Sequence, residues 1–276
     1  MSEPQTTSAF RDLHASGCFV LPNPWDVGSA VYLAHLGFKA LATSSAGFAF
    51  SRGRPDSLSA LGLDEVLAHA REIVAATPLP VSVDFQHGYA DTPEGIAANV
   101  ARCLATGCAG LSIEDASGDE RAPLYERPLS IERVQAARAA LDEAGSDAVL
   151  TARCEAWLVG DESPQSTAID RLVAFADAGA DCLFAPGVRD AATISAIVHA
   201  VAPRPVNVLM SAPAPGLSVQ ALAELGVRRI SVGSALARKA WSAFMRAARQ
   251  LMMEGSFDAL EDAAPFSELN RVLSGR

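Results

Sequence analysis

The chain has 276 residues, of which 50% are hydrophobic and 20% are charged, and it carries a formal net charge of -10 at pH 7. This length suffices for one large α/β domain with a sizeable core. The acidic balance argues against a nucleic-acid partner, which requires a basic surface. No apolar run approaches the roughly 18 residues that span a bilayer, and the first ten residues lack a secretory signal pattern. We therefore predict a cytoplasmic protein with no membrane and no nucleic-acid partner.

Five cysteines occur singly, at positions 18, 103, 108, 154 and 182. Their odd number and the absence of a C-x-x-C motif argue against a disulfide framework and against structural zinc. We expect them to be small buried side chains in a reducing compartment. Cys154 is the one that directly follows the end of a predicted strand.

One pattern recurs five times: a glycine, two further residues and a short apolar run, each time after an Ala/Leu-rich stretch of helical character. The glycines are Gly37, Gly107, Gly145, Gly179 and Gly226. Each is typical of a left-handed residue that ends a helix, and each apolar run is typical of a buried parallel strand. The alternation predicts a TIM (β/α)8 barrel.

Eight strands are predicted in chain order, at residues 18–21, 40–43, 80–84, 110–114, 149–153, 182–185, 206–210 and 230–232. An apolar stripe at helical spacing covers residues 63–74. Thr92, Ser130 and Ser163 are predicted helix starts. Stretches 45–61 and 116–128 are predicted loops long enough to contact substrate or to form lids. We predict a single domain over residues 1–276, with about 235–276 as a C-terminal helical extension.

Polar residues follow the predicted strands, and the carboxyl ends of barrel strands meet at one mouth. Asp84 and Glu114, with Asp56 as a third candidate, bring carboxylates together, and a bound cation would relieve their repulsion. Oxygen ligands suit Mg²⁺, or Mn²⁺, better than zinc. The alternative is that one of these acids caps a helix or pairs with a basic side chain.

Arg153 follows the fifth strand, and its planar fork can hold a substrate carboxylate. The alternative is a structural ion pair with Glu155 or Glu114. His87 is a candidate acid or base, or a solvated loop residue. Residues 233–234 could bind an anion or cap a helix. Ser45 and its neighbour have no base beside them in sequence, which gives a hydrolase nucleophile little support.

Several motifs, in order and spread over residues 19–239, resemble the isocitrate lyase/phosphoenolpyruvate mutase superfamily. They are Asn23-Pro24-Trp25-Asp26, Thr43-Ser44-Ser45-Ala46-Gly47, Gly53-Arg54-Pro55-Asp56, Asp84-Phe85-Gln86-His87-Gly88-Tyr89, Ile113-Glu114-Asp115, Ala152-Arg153-Cys154-Glu155-Ala156, and Gly226 through Gly233-Ser234. The resemblance implies a barrel whose eighth helix is exchanged between subunits, in a homotetramer built as a dimer of dimers. It also implies a Mg²⁺-dependent enzyme that acts on small 2-oxo or 2-hydroxy acids through an enolate.

The resemblance also implies roles for individual residues. Asp84 is the main metal residue, with Glu114 and Asp56 acting directly or through water, and Gln86 stands where a second acid is expected. Arg153 holds the substrate carboxylate. The resemblance also implies that Ser45, Ala46 and Gly47 bind the substrate. Asn207, on the predicted seventh strand, is a further candidate at the same mouth.

The predicted loop at 116–128 departs from the family. It lacks the cysteine of the lyase branch and the lysine and asparagine of the phosphonate branch, which leaves Arg121, Tyr125 and Arg127 as candidates. Catalytic roles are therefore assigned to Arg153, Glu114, Ser45, Tyr125 and Arg121. The leading prediction is a lyase that breaks a C–C bond, by decarboxylation or retro-aldol cleavage, in a small di- or tricarboxylate. The alternatives are C–P bond chemistry on a phosphonate and a non-catalytic binder of a carboxylate metabolite.

Overall fold

The computed structural model describes residues 3–275 and contains one sheet of eight parallel strands. The strands pair in the order β1-β8-β7-β6-β5-β4-β3-β2. Their bounds are β1 (Phe19–Leu21), β2 (Leu41–Ala42), β3 (Val81–Asp84), β4 (Gly110–Glu114), β5 (Val149–Arg153), β6 (Cys182–Phe184), β7 (Val206–Leu209) and β8 (Arg229–Ser231). All eight predicted strands are present, and the predicted barrel is confirmed.

Helices separate the strands and surround the sheet. They are α1 (Glu3–Ala15), α2 (Val27–His35), α3 (Ser45–Ser51), α4 (Leu63–Ala75), α5 (Pro93–Leu104), α6 (Arg127–Glu143), α7 (Pro164–Asp177), α8 (Ala191–Val201), α9 (Val219–Glu224), α10 (Ala235–Glu254) and α11 (Phe266–Leu273). The five glycines of the recurring pattern all have positive φ, between 58° and 101°. The left-handed helix ends predicted from the sequence are therefore confirmed.

The barrel is nearly closed, because β1 and β2 are the two ends of the strand ladder. One backbone hydrogen bond, from the N–H of Ala42 to the carbonyl of Pro22 (3.1 Å), crosses this seam. The side chain of Asn23 adds three more contacts. Its Nδ2 donates to the carbonyl of Thr43 (2.9 Å), and its Oδ1 accepts from two backbone N–H groups directly after β8 (3.0 and 2.8 Å). One buried amide thus joins the carboxyl ends of three strands.

Three helical features differ from the sequence-based expectations. Helix α6 begins at Arg127, so the predicted start at Ser130 is wrong, and the Ser130 hydroxyl is buried and donates to the carbonyl of Tyr125 (3.3 Å). Helix α3 occupies the first part of the predicted loop at 45–61 because Ser44 caps it and accepts from the N–H of Gly47 (3.1 Å). Helix α1 was not predicted, because its sequence holds few large apolar residues, Phe10 and Leu13.

Helix α1 closes the barrel at the amino ends of the strands. Phe10 is fully buried and packs with Phe19 and Leu21 of β1 and with Val149 of β5. The ring of His14 makes edge contacts with both Phe10 and Phe19, at centroid distances of 4.7 and 5.1 Å. This end of the barrel is therefore packed mainly by apolar side chains, with His14 as a buried polar residue among them.

Gly110 opens β4 where the strand passes close to α1 and β5. A Cβ added there would lie 2.8 Å from the carbonyl oxygen of Val149 and 2.9 Å from Cε1 of Phe10. Because a strand backbone cannot move aside cheaply, Gly110→Ala is expected to lower the free energy of unfolding by about 1–3 kcal/mol, measured by urea denaturation. Gly28→Ala in α2 is the matched control, because its Cβ would meet nothing closer than 3.6 Å. Equal stability of the two variants would contradict this packing.

Helix α10 has 20 residues, and Ala237 is its one buried residue. Its exposed apolar side chains are Leu236, Trp241, Phe244, Met245, Leu251, Met252 and Met253. After it, α11 folds back and packs against α2. Across the described residues, no helix combines the length and the apolar character that crossing a membrane requires.

Candidate active site

A cavity of about 380 Å³ opens at the carboxyl ends of the strands. The predicted site residues that line it are Ser45, Ala46, Asp56, Asp84, Gln86, Glu114, Arg153 and Asn207. They come from segments up to 162 positions apart in the chain, from 45 to 207. The parallel register brings them together, since β4 aligns Glu114 directly with Arg153 of β5.

Asp84 ends β3 and is held from one side by the start of α3. Its Oδ2 accepts the backbone N–H of Ser45 (2.9 Å) and the Ser45 hydroxyl (2.8 Å). Its own N–H donates to the hydroxyl of Thr43 (2.9 Å). The N-terminal end of a helix favours a negative charge, so α3 both orients and stabilises this carboxylate.

Arg153 lies among three carboxylates. Its Nη1 is 3.4 Å from Oδ1 of Asp84 and 3.2 Å from Oε2 of Glu114. Its Nε and Nη2 donate to the two oxygens of Glu155, the second at 3.1 Å, in a bidentate pair. The guanidinium also lies 5.3 Å from the ring centroid of Phe184. Both sequence-based alternatives therefore coexist: Arg153 reaches the cavity, and it forms ion pairs with Glu155 and Glu114.

Burial and like charges control protonation in this cluster. Burial raises the pKa of Glu114 well above its usual range, and repulsion from Glu155, Asp84 and Asp115 adds to the effect, while Arg153 opposes it. Burial alone would lower the pKa of Arg153, but the carboxylates of Glu114, Glu155 and Asp84 raise it above the ordinary value. Arg153 therefore stays charged, and it is the cation that lets the acids share one site.

A second buried ion pair, between Asp115 and Arg171, lies next to the pair of Arg153 with Glu155. Asp115 accepts the backbone N–H of Glu155 (2.8 Å) through Oδ1 and Nη1 of Arg171 (3.1 Å) through Oδ2. Burial raises the pKa of Asp115, while the N–H of Glu155 and the charge of Arg171 oppose that shift. Asp115 thereby fixes the backbone from which the Glu155 side chain projects toward Arg153.

The donor set fits a hard divalent cation. The carboxyl groups of Asp84, Glu114 and Glu155 supply oxygen ligands around one guanidinium, and Asp56 adds a fourth carboxyl group to the cavity lining. Partial desolvation and repulsion from Asp84 raise the pKa of Asp56, and Arg153 opposes this. Within residues 3–275, no group of three or more His, Cys, Asp or Glu side chains forms a ready-made metal cage. Mg²⁺ is commonly held by one or two carboxylates with waters and substrate oxygens, so a cage is not required.

Several polar groups of Gln86 and of the start of α3 are already used in hydrogen bonds within the protein. The Oε1 of Gln86 accepts the hydroxyl of Tyr89 (2.7 Å), and Gln86 has a φ of 45°. Ser45 uses its hydroxyl and its N–H on Asp84, and the N–H of Gly47 donates to the cap of α3. Ala46 lies in the first turn of α3, where N–H groups have no intrahelical partner, and it lines the cavity.

Five candidates of the sequence analysis do not line the cavity, so their roles there stay predictions; they are Gly47, Tyr125, Arg121, His87 and Arg127. Gly47 packs against Trp25. Tyr125 donates its hydroxyl to Asp91 (2.5 Å), and Arg121 is exposed beside Asp119. The fourth is His87: burial and the charge of Arg133 lower its pKa, and its Nδ1 has no partner among the described atoms. Residues 233–234, by contrast, do line the cavity, and the N–H of Gly233 donates to Oδ1 of Asn23.

Arg229 also lines the cavity, and the sequence analysis did not assign it. It donates from Nε to Oδ1 of Asn207 (2.9 Å), whose Nδ2 in turn donates to the hydroxyl of Ser231 (2.9 Å). The signal available in the sequence is a basic residue opening an otherwise apolar strand, directly after Gly226-Val227-Arg228. The predicted eighth strand begins at Ile230, one residue after Arg229, so the prediction leaves Arg229 outside the strand.

The chain matches the phosphoenolpyruvate phosphomutase family model over residues 10–252. That match covers most of the chain. The protein belongs to the phosphoenolpyruvate phosphomutase family. Its family is part of the isocitrate lyase/phosphoenolpyruvate mutase superfamily of Mg²⁺-dependent C–C lyases and mutases, and the predicted enzyme class, a lyase of this type, is confirmed.

Three relatives share between 70% and 98% of this chain's length with it. A crystal structure from Burkholderia cenocepacia J2315, with a provisional lyase/mutase designation, is 46% identical with a TM-score of 0.93, covering 98% of this chain and 95% of that one. Oxaloacetate decarboxylase of Rhodopseudomonas palustris HaA2 is 35% identical over 70% of this chain and 66% of its own. Oxaloacetate acetylhydrolase in complex with its product oxalate is 27% identical with a TM-score of 0.87, covering 98% and 94%.

Proposed function

We propose that this member of the phosphoenolpyruvate phosphomutase family decarboxylates a four-carbon 2-oxo dicarboxylate of the oxaloacetate type, with Mg²⁺. The observation that carries the proposal is the convergence of Asp84, Glu114 and Arg153 on one cavity at the strand ends. Two of the relatives support this substrate class by name, one as an oxaloacetate decarboxylase and one as an oxaloacetate acetylhydrolase.

In this reaction the bond between C3 and the C4 carboxylate breaks, and CO₂ leaves. The electron pair of that bond moves into the C2 carbonyl system and gives the enolate of pyruvate. A proton from water then adds to C3. When bound, Mg²⁺ supplies Lewis-acid stabilisation of the negative charge that develops on the 2-oxo oxygen, with Asp84, Glu114 and Asp56 as the residues that would hold it.

The chain's own residues bind and orient the substrate. Arg153 presents a permanent positive charge to the substrate carboxylate, and its position is fixed by Glu155. Ser45 holds the Asp84 carboxylate in one orientation through two hydrogen bonds. The N–H of Ala46, in the first turn of α3, is a fixed donor for an oxygen that gains negative charge.

Decarboxylation makes the smallest demand on a dedicated general acid, since water can protonate the pyruvate enolate. Retro-aldol cleavage, the second C–C reaction, relies on a positioned acid, and the loop candidates Tyr125 and Arg121 lie outside the cavity lining. A phosphonate would require a further cation. The loop candidate for that role, Arg127, is paired with the exposed Asp170 and does not line the cavity.

The test is product analysis by NMR. Oxaloacetate is incubated with the wild-type protein and Mg²⁺, with protein and EDTA, and with Mg²⁺ alone, because the metal accelerates the uncatalysed reaction. We expect pyruvate to form with protein and Mg²⁺ faster than with Mg²⁺ alone, and EDTA to remove the difference. Oxalate with acetate would instead indicate hydrolysis. No rate above the metal-only background, with oxaloacetate or with other 2-oxo and 2-hydroxy dicarboxylates, would overturn the proposal.

We also propose that the functional unit is a homo-oligomer, a dimer of dimers, in which α10 packs on a second copy of the chain. A helix of this length with one buried residue gains little from its own barrel, and helices are stabilised mainly by burial of an apolar face. The exposed residues recur at helical spacing, as in Trp241, Met245 and Met252. Trp241 and Phe244 already contact each other edge-on, at 5.4 Å between ring centroids.

Replacement of Phe244 by glutamate is expected to dissociate this assembly. Phe244 is 61% exposed in the single chain, so the variant should fold normally while it loses an apolar contact of roughly 1.5–3 kcal/mol in each subunit. Light scattering coupled to size exclusion measures the mass. Val219→Glu, at an exposed valine on α9, is the control and should keep the wild-type mass. A monomeric wild-type protein would refute the oligomer proposal.

A further inference from the structure

The floor of the cavity contains a buried arginine whose partners are all neutral. Arg229 is 4% exposed. Its guanidinium donates from Nε to Asn207 (2.9 Å) and from Nη2 to the hydroxyl of Thr151 (3.0 Å), and Nη1 lies 3.3 Å from Nε2 of His14. Nδ1 of His14 lies 2.7 Å from the carbonyl oxygen of Phe10, so Nδ1 is the donor and Nε2 the acceptor. Burial, with the charge of Arg229, lowers the pKa of His14 to about 3, so this histidine adds no charge.

No carboxylate within the described part of the chain lies within 4.0 Å of the Arg229 guanidinium. Two other buried arginines have acidic partners: Arg153 has three acids and Arg171 has Asp115. Arg133 also has neutral partners, since it donates to backbone carbonyls and lies 4.0 Å from the ring centroid of Tyr125, but it does not line the cavity as Arg229 does. Buried charges in proteins are normally paired, because an unpaired one is costly. No acidic side chain of the described fold therefore balances the charge of Arg229.

Three serine hydroxyls line the same cavity. Ser82, Ser112 and Ser231 line the cavity together with Arg229. The hydroxyls of Ser82 and Ser112 have no hydrogen-bond partner among the described residues, although both residues are buried. The Ser231 hydroxyl accepts from Asn207, which leaves its own proton free to be donated. A guanidinium has five N–H groups, and three of those of Arg229 are used, so two remain. The floor thus offers donors, a positive charge and no acid.

The floor lies one layer of side chains below the mouth. The Arg229 guanidinium contacts Thr151, and Thr151 precedes Arg153 by two residues on β5, which places their Cα atoms roughly 7 Å apart on the same face of the strand. The acids of the cavity thus surround Arg153, whereas the Arg229 guanidinium in the layer below has no described acid within 4.0 Å.

We propose that Arg229, Ser82, Ser112 and Ser231 form an anion subsite at the cavity floor, which takes one small, singly charged group. That group is either the distal carboxylate of the dicarboxylate substrate or a free monovalent anion such as chloride. The first source rests on the proposed function, whereas the subsite itself does not. If the substrate carboxylate is the occupant, the subsite selects dicarboxylates over monocarboxylates of similar length.

The experiment measures anion binding without turnover. Chloride binding to the metal-free protein, with EDTA, is followed by the excess line width of the ³⁵Cl resonance. We expect a saturable excess with wild type and a loss of affinity of at least about tenfold in the Ser82→Ala/Ser112→Ala double variant, which removes two charge-assisted hydrogen bonds. Ser166→Ala, at an exposed serine of α7, is the control. Arg229→Gln should abolish binding, and the serine variant serves if Arg229→Gln does not fold.

A dicarboxylate arm identifies the source of the anion. Succinate, which cannot react, is titrated into the wild-type and double-variant proteins with Mg²⁺ present. If succinate displaces chloride and binds more weakly to the double variant, the occupant is a substrate carboxylate. If chloride binds and succinate does not displace it, the occupant is a free anion. If wild type gives no saturable chloride signal and the serine substitutions leave succinate affinity unchanged, the subsite does not exist. Chloride binding without oxaloacetate turnover would instead refute only the proposed reaction.

Discussion

Replacement of Asp84 by alanine is expected to abolish both Mg²⁺ binding and turnover, while the barrel stays folded. Asp84 is the one carboxylate of the cluster that is oriented by a helix start, through the N–H and hydroxyl of Ser45, and it also contacts Arg153. Its removal leaves Glu114 and Glu155 paired with Arg153, so the ion-pair network survives. Loss of the metal removes several kcal/mol of transition-state stabilisation, and kcat/KM should fall by at least about 1,000-fold.

The measurement combines a titration with Mn²⁺, detected by electron paramagnetic resonance, and steady-state kinetics. Asp84→Asn separates charge from shape, because it keeps the hydrogen-bonding oxygen and loses the negative charge, and it should also be inactive. Asp170→Asn, at an exposed acid paired with Arg127, is the control and should match wild type in both measurements. Unchanged metal affinity and unchanged turnover in Asp84→Ala would remove the basis for a metal site at these strand ends.

Arg153→Gln is expected to lose about 3–5 kcal/mol of unfolding free energy in addition to all turnover. Glu114 and Glu155 are 6% and 4% exposed, and without the guanidinium they are buried acids with no counter-charge in the cluster. Breaking one side of such an arrangement costs far more than breaking a surface pair. Urea denaturation at neutral pH measures the loss, and KM and kcat for oxaloacetate report the loss of the carboxylate clamp.

Arg127→Gln provides the matched comparison. Arg127 pairs with Asp170 in two hydrogen bonds, but the two side chains are 46% and 57% exposed, so this substitution should cost less than about 1 kcal/mol. A double variant, Arg153→Gln with Glu155→Gln, should recover part of the lost stability because it removes one uncompensated acid. Equal stability of Arg153→Gln and Arg127→Gln would show that Arg153 does not hold the cluster together.

The strands and the helix ends were predictable because local chemistry determines them. Gly107 has φ 81° and Gly179 has φ 101°, conformations that a glycine adopts at little cost, and each precedes a buried apolar run. Thr92 was identified as a helix start from its hydroxyl and the following proline, and its side chain accepts from the N–H of Gly95 (3.2 Å). The same reasoning failed at Ser130, because the helix already begins at Arg127, with Pro128 in its first turn. The Ser130 hydroxyl instead donates to the backbone carbonyl of Tyr125.

The sequence predicts which residues gather at the candidate site, but it does not predict which of their side chains contact each other. Parallel strands bring their last residues together, so Asp84, Glu114 and Arg153 could be placed at one mouth from their order alone. Whether Arg153 faces the cavity or pairs with acids depends on side-chain geometry across three strands. In the structure it does both. Tyr125 was a candidate from loop position, but its hydroxyl donates to Asp91 and its ring stacks on Arg133.

Arg229 could not be assigned from sequence, because its environment is assembled from parts that are distant in the chain. Its three partners are His14 of α1, Thr151 of β5 and Asn207 of β7. Helix α1 was itself not predicted, and the inward direction of a strand residue becomes known only when the register of the closed barrel is known. An unpaired buried charge is thus a property of the assembled fold and not of any local pattern.

A crystal structure with Mg²⁺ and oxalate tests the central claim most directly, because oxalate is a planar mimic of the pyruvate enolate. The account predicts the metal in contact with Asp84, directly or through water, and an oxalate carboxylate in contact with Arg153 within the cavity at the carboxyl ends of the strands. Metal and oxalate bound elsewhere, with Arg153 still fully occupied by Glu114, Glu155 and Asp84, would contradict it.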